Sequence, residues 1–387
     1  MYFRDIIGQQ SIKDELLRST RAGIIPHARL FVGESGAGAL ALAYAYARYI
    51  NCLYPGETDA CGACRSCQQY DQWALPDLHF LFPIVNVGSR NLCDDELEHW
   101  RSFLAQGAHT TYQDWLEILG GESKRLGIFA REGDALAEKL SYKVGEARFR
   151  VLIVWMPERM HESLSNKLLK LTEEPPEQTV ILMVSHHEAE VLPTLLSRLQ
   201  RLHLRPLSEA EIVASLSKQE TKRQDEAPEE ILRTAAHLSA GNYRKALDYY
   251  LDRDRELEQE RKQLGQILRC TIRGTPIDMR QRADELSSLG REEQTSLISY
   301  TARMMREFYL YALGIGEINY MRPSERIIAE TLKGCITGRN IRQVQEELDL
   351  AQRHLLQSVN ARMVFFDLLL RLTSILSPAY RERGLKK

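Results

Sequence analysis

The chain has 387 residues, 44% hydrophobic and 27% charged, enough for two or three domains with proper cores. Its 51 lysines and arginines nearly balance 53 aspartates and glutamates, which excludes the strong basic field of an autonomous DNA binder and makes any nucleic-acid contact local or shared with partners. The opening MYFRDIIGQQ is polar and charged, and no apolar run reaches the roughly 18 residues of a membrane span, so no signal peptide or membrane contact is expected and a cytoplasmic location is the default.

The first strong element is a short buried strand, Ala28-Arg29-Leu30-Phe31-Val32. It runs into Gly33-Glu34-Ser35-Gly36-Ala37-Gly38-Ala39-Leu40, which keeps the two glycines of a G-x-x-x-x-G-K-[ST] phosphate loop. Ala39 stands where a lysine would reach the β- and γ-phosphates, and Leu40 stands where a hydroxyl would hold Mg²⁺. Alone, Gly33-x-x-Gly36-x-Gly38 reads equally well as a glycine-rich turn. The helical run from Ala39 to Ile50 shifts the balance, because strand, loop and helix in series have the shape of a phosphate-binding unit without its side chains. The expectation is a nucleotide-binding fold without turnover, its hold on nucleotide itself in doubt.

Four of the seven cysteines follow, Cys52, Cys61, Cys64 and Cys67, spaced C-x8-C-x2-C-x2-C. Two-residue spacing lets thiolates converge on one ion, and four thiolates complete a tetrahedral Zn²⁺. An iron-sulfur cluster and disulfides are the competing readings. Cys61 is followed by glycine and Cys67 by no proline, so the ferredoxin signature is not reproduced. A closed structural site over about residues 52–67 is expected, with Cys93, Cys270 and Cys335 plain thiols.

A second strand, Asp77 to Phe82, precedes a segment of about 86–128 that carries Trp100, Tyr112 and Trp115. Its mixed apolar spacing reads as a partly buried helical insertion, with the aromatics as local core rather than a binding stripe. The next strand, Arg150 to Trp155, ends where an active phosphate-loop ATPase would carry its acidic residues. Here Trp155, Met156 and Pro157 come before Glu158, so the second half of a hydrolytic site is also missing. A further strand, Val180 to Val184, ends at Ser185.

Leu204-Arg205-Pro206-Leu207-Ser208 reads as a hinge, with Ser208 an N-cap for a helix over Glu209 to Ser217. The charges of Arg255 to Gln266 read as a solvated helix face. From about 266 to 377 the pattern is helical, with Leu348, Ala351, Leu355 and Val359 on one face and Asp349, Arg353 and Gln357 between them. Val364 to Leu372 is apolar on more than one face, as in a bundle or between subunits. The basic tail, Arg381, Arg383, Lys386 and Lys387, reads as solvated.

Asn166-Lys167-Leu168-Leu169-Lys170-Leu171-Thr172-Glu173-Glu174-Pro175-Pro176 brings these pieces to a known family. With Ile7-Gly8-Gln9, His27 to Gly33, the four cysteines and Leu192-Pro193-Thr194-Leu195-Leu196-Ser197-Arg198, the chain resembles the delta-prime subunits of bacterial DNA polymerase III clamp loaders. The resemblance is dense through roughly residues 1–85 and 140–250 and diffuse beyond.

It implies an α/β AAA+ phosphate-loop domain with a parallel sheet over 1–205, a small helical lid over 206–254 and an all-α collar over 255–387 that joins subunits into a ring. It implies the clamp-loader ATPase and delta subunits as partners, with the sliding clamp and primer-template DNA reached through the assembly. Ser197-Arg198-Leu199 matches the first two positions of the family's Ser-Arg-Cys motif, whose arginine projects into a neighbour's ATP site. A planar, permanently charged guanidinium fits phosphate oxygens, and Leu199 replaces only the uncharged third residue. By the same resemblance Ser185 matches a γ-phosphate sensor, here a hydrogen bonder at a strand end, and Arg244 matches the lid arginine of a second sensor. An ATP-hydrolysing motor subunit with unusual loop chemistry, and a zinc-stabilised scaffold outside replication, are the alternatives.

Overall fold

Four short, mostly apolar runs and one polar edge strand build one parallel sheet. They are β1 (Ala28–Val32), β2 (Leu78–Leu81), β3 (Arg150–Trp155), β4 (Thr179–Ser185) and β5 (Gln200–His203), in the order β2-β3-β4-β1-β5. The backbone is that of a computed structural model, which describes all residues except 74, 86–91, 121–125, 142–144, 146, 221–228, 252–254, 317, 333–334, 358 and 385–387. Parts of the expected insertion (86–91 and 121–125), the end of the expected lid (252–254), and Lys386 and Lys387 therefore lie outside the described residues.

Strands β3 and β4 are buried along their whole length. A strand covered on both faces needs apolar residues at every position, which is why Val151-Leu152-Ile153-Val154-Trp155 does not alternate. Register aligns the strand ends: Val184 of β4 pairs with Phe31 of β1 and with Trp155 of β3. Gly33, Ser185 and the turn after Trp155 consequently meet at one edge of the sheet.

The chain divides into two compact units, Met1–Ala227 with Ala235–Leu247, and Pro228–Thr234 with Asp248–Lys387; the residues of 206–254 fall in both. The first unit holds the sheet with α1 (Gln10–Arg21), α2 (Ala39–Asn51), α3 (Arg65–Asp71), α4 (Leu97–Ala105), α5 (Tyr112–Ile118), α6 (Glu132–Ser141), α7 (Glu162–Glu173), α8 (Pro193–Leu196) and α9 (Glu209–Glu220). Helices α10 (Glu229–Leu238) and α11 (Tyr243–Tyr250) follow. Every residue of α2 is buried, as its near absence of charge requires, and it touches β1, β3, β4, α3 and the N-terminal turn at Phe3–Asp5.

Ser208 caps α9 as its sequence suggests. Its hydroxyl accepts from the Glu211 amide at 3.3 Å, and its own amide donates to the Glu211 carboxylate at 2.9 Å. Arg205 closes on the same carboxylate, and Gln9 Nε2 reaches the Arg205 carbonyl at 2.7 Å, which ties the Ile7-Gly8-Gln9 segment to the hinge. Gly8 sits at φ +61°, a left-handed backbone that favours glycine, and a β-carbon there would fall 2.6 Å from the Glu211 carboxylate, which would have to shift.

Helices α4 and α5 of the insertion dock through aromatic rings. Trp100, Phe103 and Trp115 are fully buried with Phe82 and Trp155; Phe82 stacks on Trp100 at 4.1 Å, and Trp155 lies 5.3 Å from Trp100 and 5.2 Å from Phe103. Trp115 Nε1 donates to the Pro83 carbonyl at 2.7 Å, satisfying the one polar atom of the ring.

The second unit is helical among its described residues: α12 (Arg255–Arg273), α13 (Pro276–Ser287), α14 (Arg291–Ala312), α15 (Pro323–Leu332), α16 (Ile341–Leu356) and α17 (Ala361–Gly384). Leu348, Ala351 and Leu355 are buried on α16. Val359 departs from the expected stripe: α16 ends at Leu356, so the helical spacing no longer applies, and Val359 is 41% exposed. Val364, Phe365, Leu368, Leu369 and Leu372 of α17 enter the core of this unit. Buried Glu325 accepts from Tyr300 Oη at 3.0 Å, Arg303 at 3.1 Å and the Arg322 amide at 2.8 Å. Among the described residues no helix is long and apolar enough to cross a membrane.

Candidate functional site

The loop between β1 and α2 has the turn geometry of its glycines. Gly36 and Gly38 lie at φ +79° and +90°, and a β-carbon at Gly36 would fall 2.1 Å from Asn242 Oδ1. Ala39 and Leu40 begin α2 and are buried at 3% and 6% exposure. The two apolar replacements therefore face protein.

A histidine that the sequence did not flag lies against this loop. His109, between α4 and α5, places Nδ1 2.9 Å from the Gly36 carbonyl, while its Nε2 lies 3.1 Å from the Ile7 amide. A carbonyl only accepts and an amide only donates, so the ring is neutral with its proton on Nδ1. Burial pushes its pKa down to about 4, with a smaller push from the charge on Lys13. No periodicity or motif marks His109; only the Thr111-x-x-Asp114 box two residues later, which caps α5, is readable locally.

The same box reaches Arg244. Arg244 Nε lies 2.9 Å from Asp114 Oδ1, while Asp114 Oδ2 accepts from the Thr111 amide and hydroxyl, each at 2.7 Å. Arg244 is thus paired with a carboxylate of the insertion.

At the strand ends, Ser185 donates its hydroxyl to Glu158 Oε2 at 2.9 Å, and the His186 amide donates to Glu158 Oε1 at 3.2 Å. His186 Nδ1 donates to the Gly33 carbonyl at 2.8 Å. The left-handed Met156, φ +60°, turns the chain so that Glu158 comes back to the edge it had seemed to miss in sequence. Its two oxygens are engaged by the last residue of β4 and the residue after it, and Ser185 is a hydrogen bonder within the fold.

Arg198, just beyond α8, stands apart from that loop and is 35% exposed. Its Nε donates to Glu173 Oε1 at 2.8 Å, its Nη2 reaches the same oxygen, and Nη1 donates to the Thr194 carbonyl at 2.6 Å and to Ser197 Oγ at 3.2 Å.

The four cysteines converge. Their sulfurs lie within 4.8 Å of one another, with Cys67 to Cys52 at 3.7 Å, Cys61 to Cys67 at 3.9 Å and Cys52 to Cys64 at 4.0 Å. A tetrahedron with metal–sulfur bonds of about 2.3 Å has sulfurs about 3.8 Å apart, so the arrangement fits four thiolates on one ion and is far too open for a disulfide at about 2.05 Å. Cys64 heads α3, and the amides of Cys61, Cys64 and Cys67 donate to the sulfurs of Cys52, Cys61 and Cys64 at 3.3, 3.4 and 3.5 Å. Burial pushes the Cys52 and Cys67 thiols up, a cost that a bound cation reverses by making thiolate the favoured form. Fully buried Arg48 of α2 ties the module to the sheet domain: it donates to the Cys67 carbonyl at 2.7 Å, pairs with Asp71 at 2.7 Å and stacks over Tyr2 at 3.6 Å.

Comparison with known proteins gives these features a family. A profile of the family "DNA polymerase III, delta subunit" matches residues 8–208, slightly more than half of the chain. Over 371 residues the chain is 26% identical to the DNA polymerase III subunit delta' of Escherichia coli K12, covering 94% of each. The chain belongs to the delta-prime family of clamp-loader subunits. It is also 25% identical over 215 residues to the DNA polymerase III subunit tau/gamma of Haemophilus influenzae and 26% identical over 215 residues to subunit gamma of Buchnera aphidicola (strain Bp). Those alignments take in 56% of this chain each, and only 25% and 47% of the two relatives, so the chain spans less than half of either.

Two measurements follow from the geometry. Metal analysis of the purified family member should find one ion per chain, and Cys64→Ser should release it and lower stability by at least about 2 kcal/mol, read by thermal melting. A metal-free wild type that melts like Cys64→Ser would contradict this. His109 should make stability depend on acid: its folded pKa near 4 lies below the unfolded value near 6.5, so its contribution is complete above pH 6.5 and disappears as pH falls toward 4. His109→Ala should therefore cost about 2 to 3 kcal/mol at pH 7.5 and far less at pH 4, measured by denaturant unfolding across that range.

Proposed function

We propose that the protein is a non-hydrolysing clamp-loader subunit that helps its partners open a sliding clamp and place it on primed DNA, and that it lends Arg198 to the ATP site of a neighbouring subunit. The observation that carries the reading is the phosphate loop. It has no lysine and no hydroxyl residue at Ala39 and Leu40, and its Gly36 carbonyl is hydrogen-bonded to His109. A γ-phosphate there would lack both its cation and its Mg²⁺ ligand. With Glu158 bonded to Ser185, and Arg244 to Asp114, the groups that would sense a nucleotide have partners within the chain.

A subunit without turnover can still control a neighbour's. An arginine finger stabilises charge on the transferring phosphoryl group and is worth roughly 10³ to 10⁵ in rate where it is the missing part of a site. Ser197 and Arg198 are exposed, as a contact in trans requires. The remaining parts of the reading are an AAA+ core over 1–205, a lid over 206–254, a collar over 255–387, structural zinc on Cys52, Cys61, Cys64 and Cys67, and a cytoplasmic assembly with ATPase and delta subunits.

In the assembly reconstituted with the ATPase and delta subunits of the same organism, Arg198→Ala should lower clamp- and DNA-stimulated ATP hydrolysis at least about tenfold, with the assembly intact by gel filtration. An unchanged rate would remove the finger from the mechanism. ATP turnover by the isolated chain, abolished by a loop substitution, would overturn the non-hydrolysing reading in favour of a motor subunit. Iron with sulfide in place of zinc would overturn the metal assignment.

A further inference from the structure

We infer that Glu173 is a positioning residue for Arg198: its carboxylate parks the guanidinium on the subunit's own surface until the phosphates of a neighbour's nucleotide compete for it. The inference rests on the finger reading above. Arg198 spends Nε and Nη2 on one oxygen of Glu173, and Nη1 on the Thr194 carbonyl and Ser197 Oγ, so its fork is folded back along α8 and α7.

The location of Glu173 favours this role. It is the last residue of α7, where the helix dipole presents partial negative charge, and Glu174 follows it. Two carboxylates at a helix C-terminus repel that end and each other, so the site attracts a cation strongly for a surface position. Both backbones are fixed. His27 Nε2 donates to the Thr172 carbonyl at 3.0 Å and holds the last turn of α7, while buried Leu195 and Leu199 bracket Arg198. Only side-chain rotation is needed to exchange partners.

The strengths are ordered for exchange. An exposed ion pair shifts an equilibrium by no more than about fivefold, whereas a polyphosphate offers more charge and a bidentate fit for the same fork. The latch therefore holds while the neighbouring site is empty and yields once phosphate is presented.

The test measures ATP hydrolysis of the reconstituted assembly without clamp or DNA. Variants are Glu173→Gln, Arg198→Ala, the double substitution, and Glu174→Gln as a control for local charge. The expected result is a rise of about two- to fivefold for Glu173→Gln, none for Glu174→Gln, and loss of the rise in the double variant, which a merely structural role for Glu173 would not produce. If Arg198→Ala lowers the rate but Glu173→Gln matches wild type, the latch is overturned and the finger stands. A rise that survives in the double variant, or that Glu174→Gln reproduces, also overturns the latch. If Arg198→Ala changes nothing, the finger reading fails and the latch fails with it.

Discussion

The closed edge of the sheet depends on the burial of aromatic rings around Trp155. Phe82 and Trp155, at the ends of neighbouring strands β2 and β3, give α4 and α5 a surface onto which Trp100, Phe103 and Trp115 dock. Rings of this size bury about 150 to 250 Å² each, and truncating one in a core costs about 3 to 5 kcal/mol. Each neutral hydrogen bond of His109 is worth about 1 kcal/mol and each one to the Asp114 carboxylate about 1.5 to 3 kcal/mol, so together the buried rings outweigh them. Once the rings fix α4 and α5, the connection between them has little freedom, and His109 arrives at Gly36 while Asp114 arrives at Arg244.

What the sequence disclosed is what short-range spacing can disclose. Four of the five strands, the glycine loop, the cysteine spacing and the Ser208 cap all depend on residues within a turn or two of each other, and they are found where the spacing puts them; β5, Gln200-Arg201-Leu202-His203, escapes such a reading because only Leu202 of its residues is buried and it carries no apolar run. The aromatic content of the insertion pointed to core, but nothing in it said that the core would be the end of β3. His109 meets Gly36 across 73 residues and Arg198 meets Glu173 across 25, and such pairs leave no periodic trace. Val359 failed for a related reason: a 3.6-residue period continues on paper after Gln357 has already ended the helix.

Two constraints meet on α2. Its N-terminus lies under the loop, and farther along it Arg48 holds the Cys67 carbonyl and Asn51 Nδ2 donates to Tyr70 Oη at 3.0 Å and to the Phe149 carbonyl at 3.0 Å. A helix buried on every side transmits position well, because interior packing leaves it no room to shift. The cysteine module therefore has a structural consequence beyond its own residues: it fixes one end of the helix whose other end shapes the loop.

The apolar residues that begin α2 suit the place they occupy. An active loop needs a lysine at position 39 with its ammonium facing phosphate, and therefore facing solvent when the site is empty. Here that position is 3% exposed, and a β-carbon on its neighbour Gly38 would meet His109 and Ile6 at 3.1 Å. An ammonium placed there would lose its hydration without gaining a phosphate, a penalty of several kcal/mol for an unpaired charge. Small or apolar residues such as Ala39 and Leu40 leave no unpaired charge in that place. The lysine's absence at position 39, a weak sign when read alone, thus agrees with the burial of that position and with the contact of His109 to Gly36.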